Sequence, residues 1–413
     1  MSAQVTRLSS GLRIVSESRR TVETVAIGVW VDVGARFETE EQNGLTHCLE
    51  HMLFKGTENR SARDIAFEIE AVGGHMNAYT SRDNTTYYAR VLKEDMELAV
   101  DLLADLVLNS VCDAAELERE KDVILQEIGQ TLDTPDDVVF DNLQSVAFKD
   151  QAIGRTILGS AENVKAFTRD GLMAFLSDHY LASNIVISAV GNLDHGKLVA
   201  LVEEKFASVR AGSRQKPEPA HFVGGAAIQD RELEQLHLTL GWPGVSYHDE
   251  RYYGHQIFST ILGGGMSSRL FQEVREHRGL AYSVYSFSSS HAETGLFGVY
   301  AGTSPDMVEE LVEVINSEMN ALKQGPNEPE FEIARAQLKA GLMMALEATT
   351  SRMEQLGRQI LVFDRIVPVQ EMISNVESVS AEDIANVATE LADFSKPSLA
   401  VVGDAQAVKP FLN

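Results

Sequence analysis

The first half of the chain contains a strand-like run at residues 25–30, Val-Ala-Ile-Gly-Val-Trp, and then an apolar-periodic segment at 45–53. The same order returns in the second half, where residues 236–242 read Leu-His-Leu-Thr-Leu-Gly-Trp and an apolar segment follows at 257–262. Alternation of this kind is typical of half-buried strands, and the longer period is typical of amphipathic helices. The repeated order predicts a duplicated α+β unit.

The chain has 413 residues, more than a single hydrophobic core usually holds. A stretch at 211–224 begins with glycine and two prolines among small polar residues, which is typical of a linker. We therefore predict an N-terminal domain at 1–210 and a similar C-terminal domain at 225–413. Each is expected to be an α/β roll, in which helices flank a sheet rich in antiparallel strands.

The composition excludes several classes of partner. The 35 basic and 61 acidic side chains give a net charge of -26, which disfavours nucleic acid and anionic membranes and favours cationic ligands. No apolar run reaches the roughly 18 residues that a membrane span needs. The chain has two cysteines, and from Met1 it enters its first strand by about Arg13. We therefore expect a bacterial cytoplasmic protein.

Residues 47–51 read His-Cys-Leu-Glu-His. On a helix His47 and His51 lie one turn apart and can share a metal ion, while Glu50 projects beside them and can act as a base toward water. Chance gives only about 0.04 copies of this pattern in such a chain, so we interpret it as a metal-binding motif. The alternative is a pair of histidines with purely local partners.

A catalytic zinc site needs a third protein ligand. The segment 113–132 is a predicted helix that carries Glu116, Glu120 and Glu127 on one face. Three apolar residues are expected on the opposite side: Leu117, Val123 and Ile128. Such an acidic row is usually a solvated surface, but with apolar residues opposite it could equally point into a site. Spacing alone leaves the choice between Glu120 and Glu127 open.

The motif, with an acid 76 residues beyond His51, resembles the inverzincins, the inverted-motif zinc peptidases. Over essentially its whole length the chain is similar to the pitrilysin family, and most closely to the beta subunits of mitochondrial processing peptidase and their bacterial relatives. The resemblance implies one Zn²⁺ per chain, held by His47, His51 and Glu127. It also implies that Glu120 orients a ligand or water.

The resemblance also implies substrate contacts in the first half. Residues 73–80 read as an edge strand entered by a tight glycine turn, although an ordinary hairpin has the same pattern. In the family this strand pairs with the substrate backbone, and Asn77 and Ala78 occupy the matching positions. Phe54 matches a residue that packs against an aromatic side chain downstream of the cleaved bond.

Further contacts are implied beyond the acidic helix. Asp137 and Asp141 match acids that bind an arginine upstream of the cleaved bond, although acids after Pro135 would also suit a helix N-terminus. A glycine-rich loop at 263–265 lacks the Gly-Lys-Ser/Thr of a phosphate loop. Beyond it, Arg275 and Tyr282 match a pair that holds substrate carbonyls and donates to the oxyanion.

Together these features predict a zinc metalloendopeptidase that cleaves extended, cationic peptides near an arginine. In the family a chain of this length forms half of a closed chamber, so a homodimer is implied, and a heterodimer with a metal-free homologue stays open. The second half lacks a copy of the histidine motif and is interpreted as metal-free. The rival interpretation is a non-catalytic structural core subunit, which would be expected to have a degraded motif.

Overall fold

The computed structural model describes residues 3–214 and 216–412. Gln215 of the predicted linker and the terminal residues Met1, Ser2 and Asn413 of the two predicted domains lie outside the described residues. The chain forms two compact units. As far as they are described, unit 1 takes Met1–Gly129, Arg155–Glu218 and Met344–Val367, and unit 2 takes Gln130–Gly154, Pro219–Met343 and Pro368–Asn413.

The strands are β1 (Gln4–Arg7), β2 (Arg13–Ser18), β3 (Thr24–Val31), β4 (His75–Thr80), β5 (Thr85–Leu92), β6 (Ile185–Gly191), β7 (Ala226–Asp230), β8 (Leu236–Gly244), β9 (Ala281–Ser290), β10 (Gly295–Thr303) and β11 (Ser398–Gly403). The α-helices are α1 (Leu45–Leu53), α2 (Ala62–Ala71), α3 (Met96–Asn109), α4 (Ala114–Leu132), α5 (Pro135–Ala147), α6 (Ala161–Ala166), α7 (Arg169–His179), α8 (His195–Lys205), α9 (Tyr252–Gly263), α10 (Val308–Ala321), α11 (Glu328–Ala345), α12 (Thr349–Phe363), α13 (Val369–Ser378) and α14 (Ala381–Ala392). A π-helical segment spans Phe271–His277. Short 3₁₀ turns lie at Ala35–Phe37, Lys93–Asp95, Ala152–Gly154, Ala182–Asn184, Pro305–Met307, Leu322–Gln324 and Ala405–Leu412. Among the described residues, no helix combines the length and the apolar character that a bilayer span requires.

The two units contain sheets of the same design. Unit 1 has the strand order β1-β2-β6-β3-β5-β4, in which only β2 and β6 are parallel neighbours. Unit 2 has the order β7-β11-β8-β10-β9, in which only β7 and β11 are parallel. The five strands of unit 2 thus repeat the order and direction of β2, β6, β3, β5 and β4. The predicted α+β fold of two similar, antiparallel-rich sheets flanked by helices is confirmed, although β1 begins before the expected first strand near Arg13.

The two units do not correspond to a single division of the chain at residues 211–224. Each unit includes a helix from the other half of the sequence. In unit 1, Met353, Leu356 and Ile360 of α12 form one buried cluster with residues of β3 and β6. In unit 2, α5 packs against β8 and β11 through Val139 and Leu143. Both β3 and β6 are buried along nearly their whole length, so a helix is needed on each face of the sheet.

The contact between α12 and the sheet depends on a glycine. A Cβ added at Gly357 would lie 2.6 Å from Cδ2 of the buried Trp30 ring. We expect Gly357→Ala to lower the free energy of unfolding by about 1–2 kcal/mol, because the cost of overpacking exceeds the gain in helix propensity. Urea denaturation measures this change. The matched control is Gly341→Ala on α11, where a Cβ meets nothing within 4 Å, and equal stabilisation by both substitutions would contradict the prediction.

Candidate metal centre

Helix α1 carries the histidine motif, and its two sides differ in burial. Cys48, Leu49, Met52 and Leu53 are fully buried, whereas His47 and His51 are only partly buried. The two imidazole rings lie 4.7 Å apart between centroids. Burial raises the pKa of the Cys48 thiol to about 12, so this cysteine stays protonated in the core and is unsuited to binding metal.

The start of α1 is held by an acid that precedes it in the sequence. Gly44 occupies the N-cap with a φ of 98° and offers no side chain to cap the helix. The buried carboxylate of Glu38 fills this role, since it accepts hydrogen bonds from the N–H of Gly44 at 2.9 Å and the N–H of Thr46 at 2.6 Å. The Thr46 hydroxyl and the Asn43 amide also donate to it. Glu38 therefore fixes the first turn of α1, immediately before His47.

Helix α4 brings one acid to the two histidines. Oε2 of Glu127 lies 3.7 Å from Nε2 of His47 and 3.6 Å from Nε2 of His51. One ligand atom from each of these three residues lies within 4.8 Å of the others. Tetrahedral zinc with bonds of about 2.0–2.2 Å has ligand atoms about 3.3–3.6 Å apart, so the donor set and its spacing suit a divalent metal ion. Of the two acids that spacing left open, Glu127 is the one whose carboxylate faces Nε2 of both histidines.

The protonation state of His47 also suits metal binding. Burial, and next the nearby His51, lower the pKa of His47 to about 4. His47 is therefore a neutral imidazole at pH 7, which is the form that binds metals.

Glu120 contacts Nδ1 of His51, the ring nitrogen that does not face Glu127. It is 5% exposed, and its Oε2 lies 3.1 Å from Nδ1 of His51, while its Oε1 lies 2.6 Å from Nζ of Lys55. A carboxylate on Nδ1 holds the proton there and leaves Nε2 of His51 free as a ligand. Lys55 compensates the buried negative charge of Glu120.

This arrangement corrects one expectation about α4. Glu120 lies on the packed side of the helix, which also contains the buried Leu117 and Ile124. Val123, which was expected on an apolar side opposite the acids, is 39% exposed. The acids therefore do not share one solvated face, because the helix turns its buried side toward α1.

We expect Glu120→Gln to weaken zinc binding by about 10- to 100-fold without abolishing it. The amide keeps the volume of the side chain but loses the charge that polarises His51 and pairs with Lys55. Competition with a chromophoric chelator measures the affinity. The exposed Glu118, which pairs with Lys121 on the same helix, provides the control substitution Glu118→Gln. Equal zinc affinity of the Glu120→Gln and wild-type proteins would contradict the assigned role.

Glu50 lies beside the ligands on α1. Its Oε2 accepts a hydrogen bond of 2.7 Å from the hydroxyl of Thr80, the last residue of β4. Burial raises the pKa of Glu50 above its ordinary value, while the hydrogen bond from Thr80 and the nearby His51 act in the opposite direction. A partly desolvated carboxylate next to a metal site can accept a proton from water and return it.

The structure places three further predicted residues in unit 1. Asn77 and Ala78 lie on β4, which is the edge strand of the sheet, and the N–H of Ala78 donates to Oδ1 of Asn77. Phe54 directly follows α1, and its ring centroid lies 6.4 Å from that of Tyr87.

The remaining predicted residues belong to unit 2. The Arg275 guanidinium lies 4.3 Å from the ring centroid of Tyr282 and 4.8 Å from that of Phe271. Tyr282 is 72% exposed. Asp137 and Asp141 lie on successive turns of α5, which begins at Pro135 as predicted.

Sequence reasoning missed Glu38, Lys55, Thr80 and Phe271. Lys55 follows His51 by four residues, and Phe271 precedes Arg275 by four, so helical spacing was a weak available signal for each. Glu38 and Thr80 lie outside the helix that they support, and they reach it only through the tertiary fold. No local pattern in the sequence indicates either contact.

Comparisons of the sequence with protein-family models and with individual relatives agree with one another. The family model described as Insulinase (Peptidase family M16) matches residues 13–161, and the model described as Peptidase M16 inactive domain matches residues 166–338. An uncharacterized zinc protease of Rickettsia felis is 39% identical over 94% of this chain and 94% of its own. An uncharacterized zinc protease of Bacillus subtilis is 40% identical over 92% of this chain and 94% of its own.

Two solved structures share the fold. A structure described as the peptidase M16 inactive domain from Pseudomonas fluorescens superposes with a TM-score of 0.91 at 22% identity, covering 98% of this chain and 99% of that one. A protease from Helicobacter pylori superposes with a TM-score of 0.89 at 21% identity, covering 97% and 99%. At these identities the likeness establishes the fold alone.

Proposed function

The chain belongs to peptidase family M16, and on that premise we propose that it is a zinc-dependent endopeptidase. The observation that carries this proposal is the convergence of His47, His51 and Glu127 beside Glu50. These residues would hold one zinc ion per chain. A neutral His47 and the carboxylate behind His51 support the same assignment.

The chemistry divides between the metal and the protein. A bound zinc ion would supply Lewis-acid activation of water and of the scissile carbonyl. Glu50 takes a proton from the attacking water while the water oxygen bonds to the carbonyl carbon. Glu50 then gives that proton to the amide nitrogen as the carbon–nitrogen bond breaks, which leaves a new carboxyl terminus and a new amino terminus.

Unit 2 would supply groups that stabilise charge and hold the substrate. We assign the Tyr282 hydroxyl to the oxyanion and Arg275 to substrate backbone carbonyls, by resemblance to the family. The exposure of Tyr282 leaves its hydroxyl available as a donor. The Arg275 guanidinium lies over the rings of both Phe271 and Tyr282, which supports a fixed position for it.

The substrates would be extended, cationic peptides. An edge strand such as β4 can pair with an extended peptide, and Asn77 and Ala78 would contact its backbone. Asp137 and Asp141 would bind an arginine upstream of the cleaved bond, and Phe54 would pack against an aromatic side chain downstream. A net charge of -26 favours cationic peptides over nucleic acid and anionic membranes.

The proposed assembly is a homodimer that encloses a chamber. One chain contains both the histidine motif and the Arg275–Tyr282 pair, so two identical chains would be chemically complete. A heterodimer with a metal-free homologue is the alternative, and co-purification of a second chain would reveal it. We place the enzyme in the bacterial cytoplasm, which suits two buried free cysteines.

The test is hydrolysis of a quenched fluorescent peptide that contains one arginine. We expect activity that a chelator abolishes and Zn²⁺ restores, and slower hydrolysis of a matched peptide with glutamine in place of arginine. Equal rates with both peptides would overturn only the arginine preference. Stoichiometric zinc without hydrolysis of any peptide would overturn the endopeptidase and favour the structural core subunit.

A further inference from the structure

The base Glu50 is tied to the edge strand of the sheet through Thr80. The hydroxyl of Thr80 donates to Oε2 of Glu50 at 2.7 Å, the length of a charge-assisted bond between two oxygens. A glutamate side chain on a helix surface has several staggered rotamers. A donor on Oε2 favours one of them and so restricts the orientation of the carboxylate.

Thr80 is itself held firmly. It pairs in register with Thr85, which is fully buried and donates to the carbonyl of Val33 at 2.9 Å. The turn that follows β4 is closed by a bond from the N–H of Ser81 to the carbonyl of Asn84 at 2.8 Å. The carbonyl of Ser81 also accepts from the N–H of Ala35 at 3.0 Å. The backbone at the end of β4 is therefore fixed where the Thr80 hydroxyl is attached.

The same strand carries the residues assigned to the substrate. Ala78 lies two positions before Thr80, so their side chains leave β4 on the same face. A peptide aligned along β4 would therefore have its register set by the strand that also fixes the carboxylate of Glu50. The strand assigned to the substrate is thus also the strand that contacts the base.

We propose that Thr80 is a positioning residue for Glu50, an inference that rests on the proposed function. Removing the hydroxyl leaves the ligands His47, His51 and Glu127 unchanged. It also leaves the backbone of β4 intact. The effect should therefore fall on the proton-transfer step and not on zinc or peptide binding.

The experiment compares Thr80→Val with Thr80→Ser. A hydrogen bond to a charged group corresponds to roughly a 10- to 100-fold change in rate, so we expect kcat of Thr80→Val to fall by that factor with KM unchanged. Thr80→Ser, which keeps the hydroxyl, should recover most of the wild-type kcat. Zinc affinity, and peptide affinity of the zinc-free protein measured by fluorescence anisotropy, should equal those of the wild type.

The outcomes are distinguishable. An inactive wild-type protein overturns the proposed function and this inference together. An active wild type with an equally active Thr80→Val variant overturns the inference alone. Weaker peptide binding by zinc-free Thr80→Val also overturns it, since Thr80 would then shape the strand and not the base. Failure of Thr80→Ser to recover kcat would assign the effect to packing, which likewise contradicts the proposal.

Discussion

Glu50→Gln should lower kcat for peptide hydrolysis by about 10³-fold or more while leaving zinc bound. Glutamine keeps the size of the side chain, and its amide oxygen can still accept the hydrogen bond from Thr80. It cannot take a proton from water at neutral pH, so the step that forms the new carbon–oxygen bond loses its base. Hydrolysis of the fluorescent peptide and zinc content of the purified protein measure the two expectations.

The control for this substitution is Glu58→Gln. Glu58 is an exposed acid in the loop that follows α1, and its backbone N–H bonds to the carbonyl of Asn109. Its removal changes the net charge equally but leaves the metal centre intact. A Glu50→Gln variant that keeps more than about a tenth of wild-type kcat would assign the base to another group.

Glu127→Gln should weaken zinc binding by at least about 100-fold, and hydrolysis should fall to background at limiting zinc. The Oε2 atom of Glu127 lies within 3.7 Å of Nε2 in both His47 and His51. It is the only acid among the three candidate ligands. A neutral amide in its place is a weaker ligand for a divalent cation. Chelator competition and metal analysis after dialysis measure the loss.

The matched control lies on the same helix. Glu116 pairs with Arg119 near the start of α4 and has no contact with the histidines among the described residues. Glu116→Gln should keep wild-type zinc affinity, and Glu120→Gln should be intermediate. The opposite ranking of Glu116 and Glu127 would show that α4 presents a different acid to the metal.

The order of effects along α4 illustrates a limit of the sequence. Spacing placed Glu116, Glu120 and Glu127 on one helix and left two of them as candidate ligands. Only the packing of α4 against α1 brings Glu127 to Nε2 of both histidines and Glu120 to Nδ1 of His51. The exposure of Val123 has a local origin, because a residue seven positions after Glu116 lies two turns along the same side of the helix.

The organisation of the two units shows a similar limit. Apolar patterns predicted two similar sheets, and both are present with the same strand order. The patterns of α5 and α12 indicate that each helix buries one face but not which sheet covers it. Each helix packs in the unit formed mostly by the other half of the chain. A division at the linker is therefore a division of the sequence and not of the packing.

The sequence by itself determined the features that depend on neighbours within a few residues. These are most of the strands and the helix that sets His47 and His51 one turn apart. The tertiary structure decided which acid lies beside the histidines and which hydroxyl donates to Glu50. It also decided which sheet α5 and α12 each pack against. These contacts join segments 30 to 165 residues apart, and they form only when the buried faces of those segments pack together.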